Sequence, residues 1–286
     1  MSERIDIKSM TQEELSALLR EWGEPGFRAG QLFSWLHEKR VSDWSEMTNL
    51  SAALRQKLGE RCTLTRLTVL HRLVSAIDGT QKYLYRLSDG NCIETVLMKY
   101  KHGNSLCIST QVGCRMGCNF CASTLGGLVR HLKPSEMLEQ VYETVRQSGE
   151  RVDSLVLMGI GEPLDNYDNV IRFLHLLTDP KGYNLGQRHI SLSTCGLVDR
   201  IYDLAKEDLG ITLSISLHAP DNETRNRTMP VNRRWPIEQL MQACRDYFKT
   251  TGRRISFEYA LIKGVNDSPE DARKLARLLD GMICHV

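Results

Sequence analysis

The chain has 286 residues, of which 41% are hydrophobic and 25% charged, values near globular averages that exclude a disordered or fibrous protein. Its net charge of +2 is too small to indicate a nucleic-acid partner by itself. No apolar run approaches the roughly 20 residues of a membrane span and no signal segment begins the chain, so we expect a cytoplasmic protein. The nine cysteines favour metal or redox chemistry over a disulfide framework.

Residues 1–60 are predicted to form a small helical accessory domain. The segment "TQEELSALLREW" has a threonine cap with glutamate three positions later, followed by apolar residues at helical spacing. A turn and an amphipathic helix are predicted for "GEPGFRAGQLFSWLHEKR", and a third helix for "SEMTNLSAALRQKLGER".

Residues 61–104 change to a period of two. The segments "TRLTVLHRLVSA", "QKYLYRLS" and "CIETVLMKY" alternate in polarity and are separated by the turn sequences "IDGT" and "SDGN". This pattern predicts an antiparallel β meander that connects the helical domain to the rest of the chain.

Residues 105–286 alternate strands with helices, which predicts parallel strands joined by right-handed crossovers. The six predicted strands begin at "SLCIST" and end at "MICHV", and they favour an α/β fold with a partial (β/α)6 barrel whose last strand is incomplete. An open doubly wound sheet is also compatible with this alternation. In a barrel, we expect the chemistry at the carboxyl ends of the strands.

A cluster of cysteines follows the first of these strands. Cys114, Cys118 and Cys121 have the spacing Cys-x3-Cys-x2-Cys. A structural zinc site takes four protein ligands, whereas three thiolates on an iron-sulfur cubane leave one iron open to a substrate. The residues alone leave three interpretations open: an open cubane, a zinc site completed by a distant ligand, and three unrelated buried cysteines.

With the aromatic Phe120 before its last cysteine, this motif resembles that of the radical S-adenosylmethionine (SAM) superfamily. The resemblance narrows over nearly the whole chain to the RlmN family of adenine C2-methyltransferases of 23S rRNA and tRNA. The segments that carry it are "GEPGFRAGQLFSWLHEKRVSDWSEMTNLS", "SLCISTQVGCRMGCNFCASTLGG", "LVLMGIGEPLDNYDNV", "ISLSTCGLV", "SLHAPDNETRNRTMPVNRRWPIEQL" and "FEYALIKGVNDSPEDARKLA".

The resemblance implies two cofactors and the residues that hold them. Cys114, Cys118 and Cys121 match the ligands of a [4Fe-4S] cluster. The positions that match SAM contacts are Gly161, Glu162, Ser193, Ser216, Leu217 and His218. Without the resemblance, "GIGEPL" reads as an ordinary turn after a strand, and His218 as a core histidine.

The resemblance also implies two catalytic residues and a route with two SAM molecules. One SAM methylates a cysteine near the C-terminus, and a second gives a deoxyadenosyl radical that activates this methyl group for addition to adenine C2. Cys107 matches the cysteine that resolves the RNA adduct by a disulfide with the methyl carrier, and Glu94 matches the proton acceptor. Taken alone, Cys107 is equally a buried strand residue and Glu94 an outward-facing carboxylate.

The sequence departs from the family pattern at its end, because Cys284 in "GMICHV" does not match the methyl carrier. We expect the chain as given to be truncated, to bind cluster and SAM, and to fail in methyl transfer. The alternatives are a Cfr-like adenine C8-methyltransferase, a non-catalytic iron-sulfur protein that binds RNA, and a zinc-binding structural protein.

The implied partners are 23S rRNA, tRNA and a reductant such as flavodoxin or ferredoxin, with the chain as a monomer. The segments "ETRNR", "VNRRW" and "TGRR" are basic, and Trp235 follows two arginines, where it is placed to stack on a base. Short basic runs of this kind are more often solvated loops than contacts.

Overall fold

The computed structural model describes residues 4–286, which divide into two compact units. The first unit contains the residues up to 106, 132–154 and 168–186, and the second contains 107–131, 155–167 and 187–286. The domain limits predicted from the sequence, at residues 60 and 104, stay a prediction.

The helices of the first unit follow from their capping residues. The Thr11 hydroxyl accepts from the Glu14 N–H, and the Glu14 carboxylate accepts from the Thr11 N–H, so the predicted capping box is present. The third predicted helix begins later than expected, because Ser51 caps it by accepting from Leu54 N–H at 3.2 Å. The helices are α1 (Gln12–Glu21), α2 (Arg28–Phe33), α3 (Ala52–Arg61), α4 (Pro134–Ser148) and α5 (Tyr167–Thr178), of which Tyr167 belongs to the second unit.

The strands of the first unit confirm the predicted meander. Neighbouring strands run in the order β3-β4-β5-β6, and β3–β4 and β4–β5 are antiparallel. On β4, Gln81, Tyr83 and Tyr85 are buried while the residues between them are more exposed, the period of two expected for a sheet with one covered face. The strands are β1 (Ile5–Asp6), β2 (Cys62–Thr63), β3 (Thr68–Val74), β4 (Gln81–Arg86), β5 (Cys92–Tyr100) and β6 (Gly103–Cys107), of which Cys107 belongs to the second unit.

The second unit contains parallel strands that neighbour one another in chain order, from β9 to β13. A doubly wound sheet reverses its strand order at a switch point, so this order fits the partial barrel. The α/β fold class is confirmed. The strands are β7 (Gln111–Gly113), β8 (Leu128–His131), β9 (Ser154–Leu157), β10 (Ile190–Thr194), β11 (Thr212–Ser216), β12 (Ile255–Glu258) and β13 (Cys284–His285), of which Ser154 belongs to the first unit. The helices are α6 (Val198–Leu204), α7 (Asn222–Thr228), α8 (Ile237–Thr251) and α9 (Pro269–Leu279).

The parallel strands of the second unit are apolar and buried, with Leu155, Leu192, Leu213 and Phe257 at most 2% exposed. Because these strands are parallel, their carboxyl ends and the loops that follow lie at one edge of the sheet. No helix in residues 4–286 is both long enough and apolar enough to cross a membrane.

Candidate active site

The three cysteines of the motif lie in a loop that a β-hairpin holds closed. β7 and β8 pair antiparallel, and the Cys114 N–H donates to the Gly127 carbonyl at 3.1 Å across the base of the loop. Gly113 has a φ of +72°, and a Cβ there would lie 1.9 Å from the Gly127 carbonyl oxygen, so this closure requires glycine. Cys121 N–H donates to the Cys118 carbonyl at 3.0 Å, so the thiols project from an ordered backbone.

A cavity of about 310 Å³ lies beside this loop in the second unit. That volume is at the lower end of the range for small-molecule sites, about 300–1,000 Å³. Most of the predicted site residues line it: Cys114, Cys118, Cys121, Gly161, Glu162, Ser193, Ser216 and His218. The structure therefore brings the cysteine motif together with the strand ends that the resemblance assigns to SAM.

The donor set fits an iron-sulfur cluster, because three thiols of one short loop line one cavity. Within residues 4–286, no three His, Cys, Asp or Glu side chains converge on one metal-ion position. Each thiolate of a cubane binds a different iron, and three thiolates leave one iron open. Burial raises the pKa of Cys118 to about 12 and also raises the pKa of Cys114, so cluster binding must displace protons from both thiols.

Glu162 lies in the turn after β9 and is 4% exposed. Its carboxylate accepts from Cys195 N–H at 2.8 Å and from Leu164 N–H at 3.0 Å. Burial raises the pKa of this carboxyl group, and the hydrogen bonds from Cys195 and Leu164 oppose the rise. Two backbone donors thus fix the orientation of an acidic side chain in the cavity wall.

Gly161 and Gln111 set the path of the same turn. Gly161 has a φ of +111°, and a Cβ there would lie 2.6 Å from the Gln111 Cβ. The fully buried Gln111 accepts from Glu162 N–H at 2.8 Å and donates to Asp165 at 2.9 Å. Sequence reasoning missed Gln111, since a polar residue on a short strand carries no signal that it supports a turn some 50 residues away.

Ser193 is the penultimate residue of β10, and Ser216 is the last residue of the neighbouring β11. Their hydroxyl oxygens lie 3.3 Å apart, because β10 and β11 pair in parallel with Ser193 opposite Ser214. Both residues line the cavity. The two hydroxyls therefore form one polar patch at the strand ends.

His218 also lines the cavity, so it is not an enclosed core histidine. Its φ is +51°, and its Nδ1 accepts from Ala260 N–H at 3.0 Å, which places the ring proton on Nε2. Burial, with a smaller effect of Arg225, lowers its pKa to about 4. The Phe120 ring meets it edge-on at 5.2 Å between centroids. A neutral imidazole with an Nε2–H donor results.

Three predicted site residues are not among those that line the cavity. Leu217 is fully buried, its N–H donates to the Glu258 carbonyl at 3.1 Å, and its carbonyl accepts from Arg225. Cys107 ends β6 and is partly exposed, and burial raises its pKa. Glu94 lies on β5 in the first unit, with its carboxylate 2.6 Å from Lys82 Nζ. Their predicted roles remain predictions.

The expected disulfide is not supported. All nine cysteines of the chain, Cys107 included, are free thiols in the structure.

The arginines of the basic segments differ in their exposure to solvent. Arg225 in "ETRNR" is fully buried, so it does not belong to an exposed basic surface. Arg233 and Arg234 are exposed, and the Arg234 guanidinium lies 4.3 Å from the centre of the Trp235 ring. An exposed arginine stacked on an aromatic ring remains compatible with nucleic-acid contact.

Family models match both parts of the chain. The model described as "Ribosomal RNA large subunit methyltransferase N-terminal domain" matches residues 5–64, and the one described as "Radical SAM superfamily" matches residues 108–278. A "Probable dual-specificity RNA methyltransferase RlmN" of Lachnospira eligens is 56% identical over 98% of this chain and 80% of its own length. A protein of the same description from Lachnoclostridium phytofermentans is 54% identical over 100% of this chain and 80% of its own length.

A solved structure agrees with these relatives. The crystal structure of a radical SAM methyltransferase from Sphaerobacter thermophilus superposes with a TM-score of 0.94 at 43% identity, covering 99% of this chain and 84% of that one. Membership of the superfamily brings with it a [4Fe-4S] cluster and SAM as cofactors. The chain belongs to the RlmN family of radical SAM RNA methyltransferases.

Proposed function

We propose that this chain takes part in methylation of adenine C2 in 23S rRNA and in tRNA, with SAM as the methyl source. The observation that carries the proposal is the cavity that joins the three thiols of the cysteine loop to Glu162 and the strand ends. The printed description of the relatives, dual-specificity RNA methyltransferase, supports RNA as the substrate class. The match to the RlmN N-terminal domain favours C2 over the C8 position of the Cfr type.

Each part of the cavity has a proposed role. Cys114, Cys118 and Cys121 would hold the [4Fe-4S] cluster, which would supply the electron for the cleavage of SAM. The Glu162 carboxylate accepts from the SAM ammonium group, a charge-assisted bond that burial strengthens. The neutral His218 offers its Nε2–H as a donor.

The remaining cavity walls give SAM hydroxyl partners and exclude water. Ser193 and Ser216 present adjacent hydroxyls, which both donate and accept hydrogen bonds. The apolar side chains of Met116, Phe120 and Met229 line the same cavity. An apolar wall protects a reactive carbon radical from side reactions with solvent.

Radical chemistry fits this target, because adenine C2 is not nucleophilic and does not attack the SAM methyl group directly. The proposal therefore includes a first, polar methylation of a cysteine thiol, with a second SAM used for radical formation. We assign this methyl carrier to none of the nine cysteines of the sequence. Glu94 and Cys107 are the proposed catalytic residues. Glu94 is proposed to accept a proton, and Cys107 to resolve the adduct between the protein and the RNA.

The proposed partners follow the same family pattern. The helices within residues 5–64 and the exposed pair Arg233 and Arg234 beside Trp235 are proposed to contact RNA. A flavodoxin or ferredoxin is proposed as electron donor, and the chain as a monomer.

Reconstitution without oxygen tests the proposal. We expect the chain to take up iron and sulfide, and to form 5′-deoxyadenosine and methionine from SAM when dithionite supplies electrons. Cys118→Ala removes one thiol of the loop and should abolish both iron retention and SAM cleavage. Cys62→Ala is the matched control, since Cys62 is 1% exposed and lies in the first unit.

Two results would contradict the proposal. One is retention of a SAM-cleaving cluster by Cys118→Ala, and the other is a wild-type chain that holds no iron. Mass spectrometry of 23S rRNA and tRNA fragments, incubated with SAM and with the chain joined to a segment that supplies the methyl-carrier cysteine, then reports the position of the added methyl group. Methylation at C8 instead of C2 would correct the regiochemistry.

A further inference from the structure

Arg225 on α7 is the largest fully buried side chain of the described residues. Its guanidinium donates to the carbonyls of three residues that follow or end parallel strands, and to one amide oxygen. The acceptors are Cys195 at 2.6 Å, Ser216 at 3.2 Å, Leu217 at 3.2 Å and the Asn232 side chain at 3.0 Å. All four acceptors are neutral, and no carboxylate within residues 4–286 forms an ion pair with Arg225.

A buried cation without a counterion is costly. Removing a guanidinium from water costs several kcal/mol, and hydrogen bonds to neutral carbonyls return only part of this. Arginine keeps its proton in proteins, so the charge persists despite the burial that lowers the Arg225 pKa. The guanidinium fork explains why an arginine is used here, since a neutral amide has only two donors for these four acceptors, but it leaves the buried positive charge without a counterion.

The helix that carries Arg225 is bonded to the cysteine loop. Asn119, which follows Cys118, donates its N–H to the Thr228 carbonyl at 2.9 Å and its side-chain amide to the Arg227 carbonyl. Cys195 and Ser216, whose carbonyls Arg225 binds, line the same cavity as Cys118. The charge is therefore held against the wall of the cavity in which the cysteine loop lies.

A cluster held by Cys114, Cys118 and Cys121 would supply the missing counterion. Three thiolates on one cluster carry net negative charge, and reduction of the cluster adds one electron from an external reductant without breaking a bond. A fixed cation in a poorly solvated wall stabilises the reduced state more than the oxidised state, since Coulomb interactions are strong at low dielectric. Electrostatics of this kind set the reduction potentials of iron-sulfur clusters.

We propose that Arg225 is a positioning residue whose buried positive charge raises the reduction potential of the cluster while its hydrogen bonds fix the loops after β10 and β11. The inference rests on the proposed function, because it requires a cluster at Cys114, Cys118 and Cys121. It assigns no contact between Arg225 and SAM.

The test is a redox titration of the reconstituted protein, followed by the electron paramagnetic resonance signal of the reduced cluster. Arg225→Gln removes the charge and keeps two donors. Asn232→Asp keeps Arg225 and neutralises it with a carboxylate at its present acceptor, but it also removes the bonds that the Asn232 side-chain amide donates to Asn222 at 2.9 Å and to Asn226 at 2.8 Å. Asn232→Leu removes the same two bonds without adding a charge, so a lower potential in Asn232→Asp than in Asn232→Leu reports the charge and decides the question if Arg225→Gln fails to fold. In Arg225→Gln, and in Asn232→Asp relative to Asn232→Leu, we expect at least a tenfold lower ratio of reduced to oxidised cluster at a fixed potential, about 59 mV for a one-electron couple.

Arg227→Met is the matched control. It removes an exposed arginine from the same helix and should leave the potential at the wild-type value. Arg225→Lys keeps the charge but cannot reproduce the arginine fork, so we expect a wild-type potential with weaker SAM binding. Wild-type potentials in Arg225→Gln and Asn232→Asp, or an equal shift in Arg227→Met, would overturn the inference. A wild-type chain that holds no iron would instead overturn the proposed function.

Discussion

Gln111 shows how a single buried amide supports the site. It holds the Glu162 backbone and Asp165 at once, through bonds of 2.8 and 2.9 Å. Gln111→Leu keeps the volume but leaves Glu162 N–H without this partner, which we expect to cost about 1–3 kcal/mol of unfolding free energy. Because the Glu162 turn lines the cavity, SAM binding should also weaken about tenfold, as isothermal titration calorimetry would measure.

Gln187→Leu is the control for this prediction. Gln187 accepts a comparable bond, from Gly210 N–H at 2.6 Å, but it does not line the cavity. Loss of stability without loss of SAM affinity is expected for this variant. Equal SAM affinity in both variants would show that Gln111 does not position the turn.

Residues of the site could be predicted from the sequence only where they belong to a recognisable motif. Spacing identified Cys114, Cys118 and Cys121, and the structure brings them to one cavity with Glu162. The sequence gives no such signal for Arg225, because arginine is usually exposed and its neighbours form a basic run. Its burial depends on three loops that meet only in the folded chain.

At the level of elements, hydrogen bonds join α7 to the cysteine loop. Asn119 joins them through two hydrogen bonds to α7 carbonyls, although its own side chain is exposed. Asn119→Ala removes the side-chain bond, worth about 0.5–1.5 kcal/mol, so we expect iron loss to a chelator to be roughly two- to tenfold faster.

The absorbance of the cluster during incubation with a chelator measures this rate. Asn91→Ala is the control, since Asn91 makes a similar exposed side-chain bond, to Asp89 at 2.9 Å, in the first unit. An unchanged rate in Asn119→Ala would mean that the hairpin of β7 and β8 holds the loop without help from α7.

Helix limits followed from the sequence where a local capping signal existed. The box at Thr11 forms as predicted. The second predicted helix instead changes to a π-helix over Ser34–Glu38, and no local pattern in "SWLHE" indicates this. Such a change depends on tertiary packing around the buried His37.

For the whole molecule, alternation of strands and helices predicted the parallel part correctly, since each crossover constrains the next strand. The alternation could not distinguish a barrel from a doubly wound sheet, because the two differ in the order of the strands across the sheet. In the structure, β9 to β13 lie side by side in the order in which they follow along the chain. The hairpin of β7 and β8 was missed because its strands are three and four residues long.

Stability of the first unit should depend on pH through His37. Its Nδ1 lies 3.0 Å from the Tyr142 hydroxyl, and its buried Nε2 has no hydrogen-bond partner within residues 4–286. Burial, with a smaller effect of the nearby Lys8, lowers its pKa from 6.5 to about 3, while Lys8 itself is paired with Glu139 at 2.6 Å. Between these pH values the unfolded chain binds a proton that the folded unit does not, so stability falls as pH falls from 6.5 toward 3.

The expected slope is up to about 1.4 kcal/mol per pH unit, or about 2 kcal/mol between pH 7 and pH 5. Urea unfolding followed by tryptophan fluorescence measures it, because Trp22, Trp35 and Trp44, three of the four tryptophans, lie in this unit. His37→Phe removes the titrating group and should flatten the dependence, whereas His175→Phe, at an exposed position of α5, should keep it. If all three proteins lose the same stability between pH 7 and pH 5, other groups control the acid sensitivity of the unit and the buried imidazole does not.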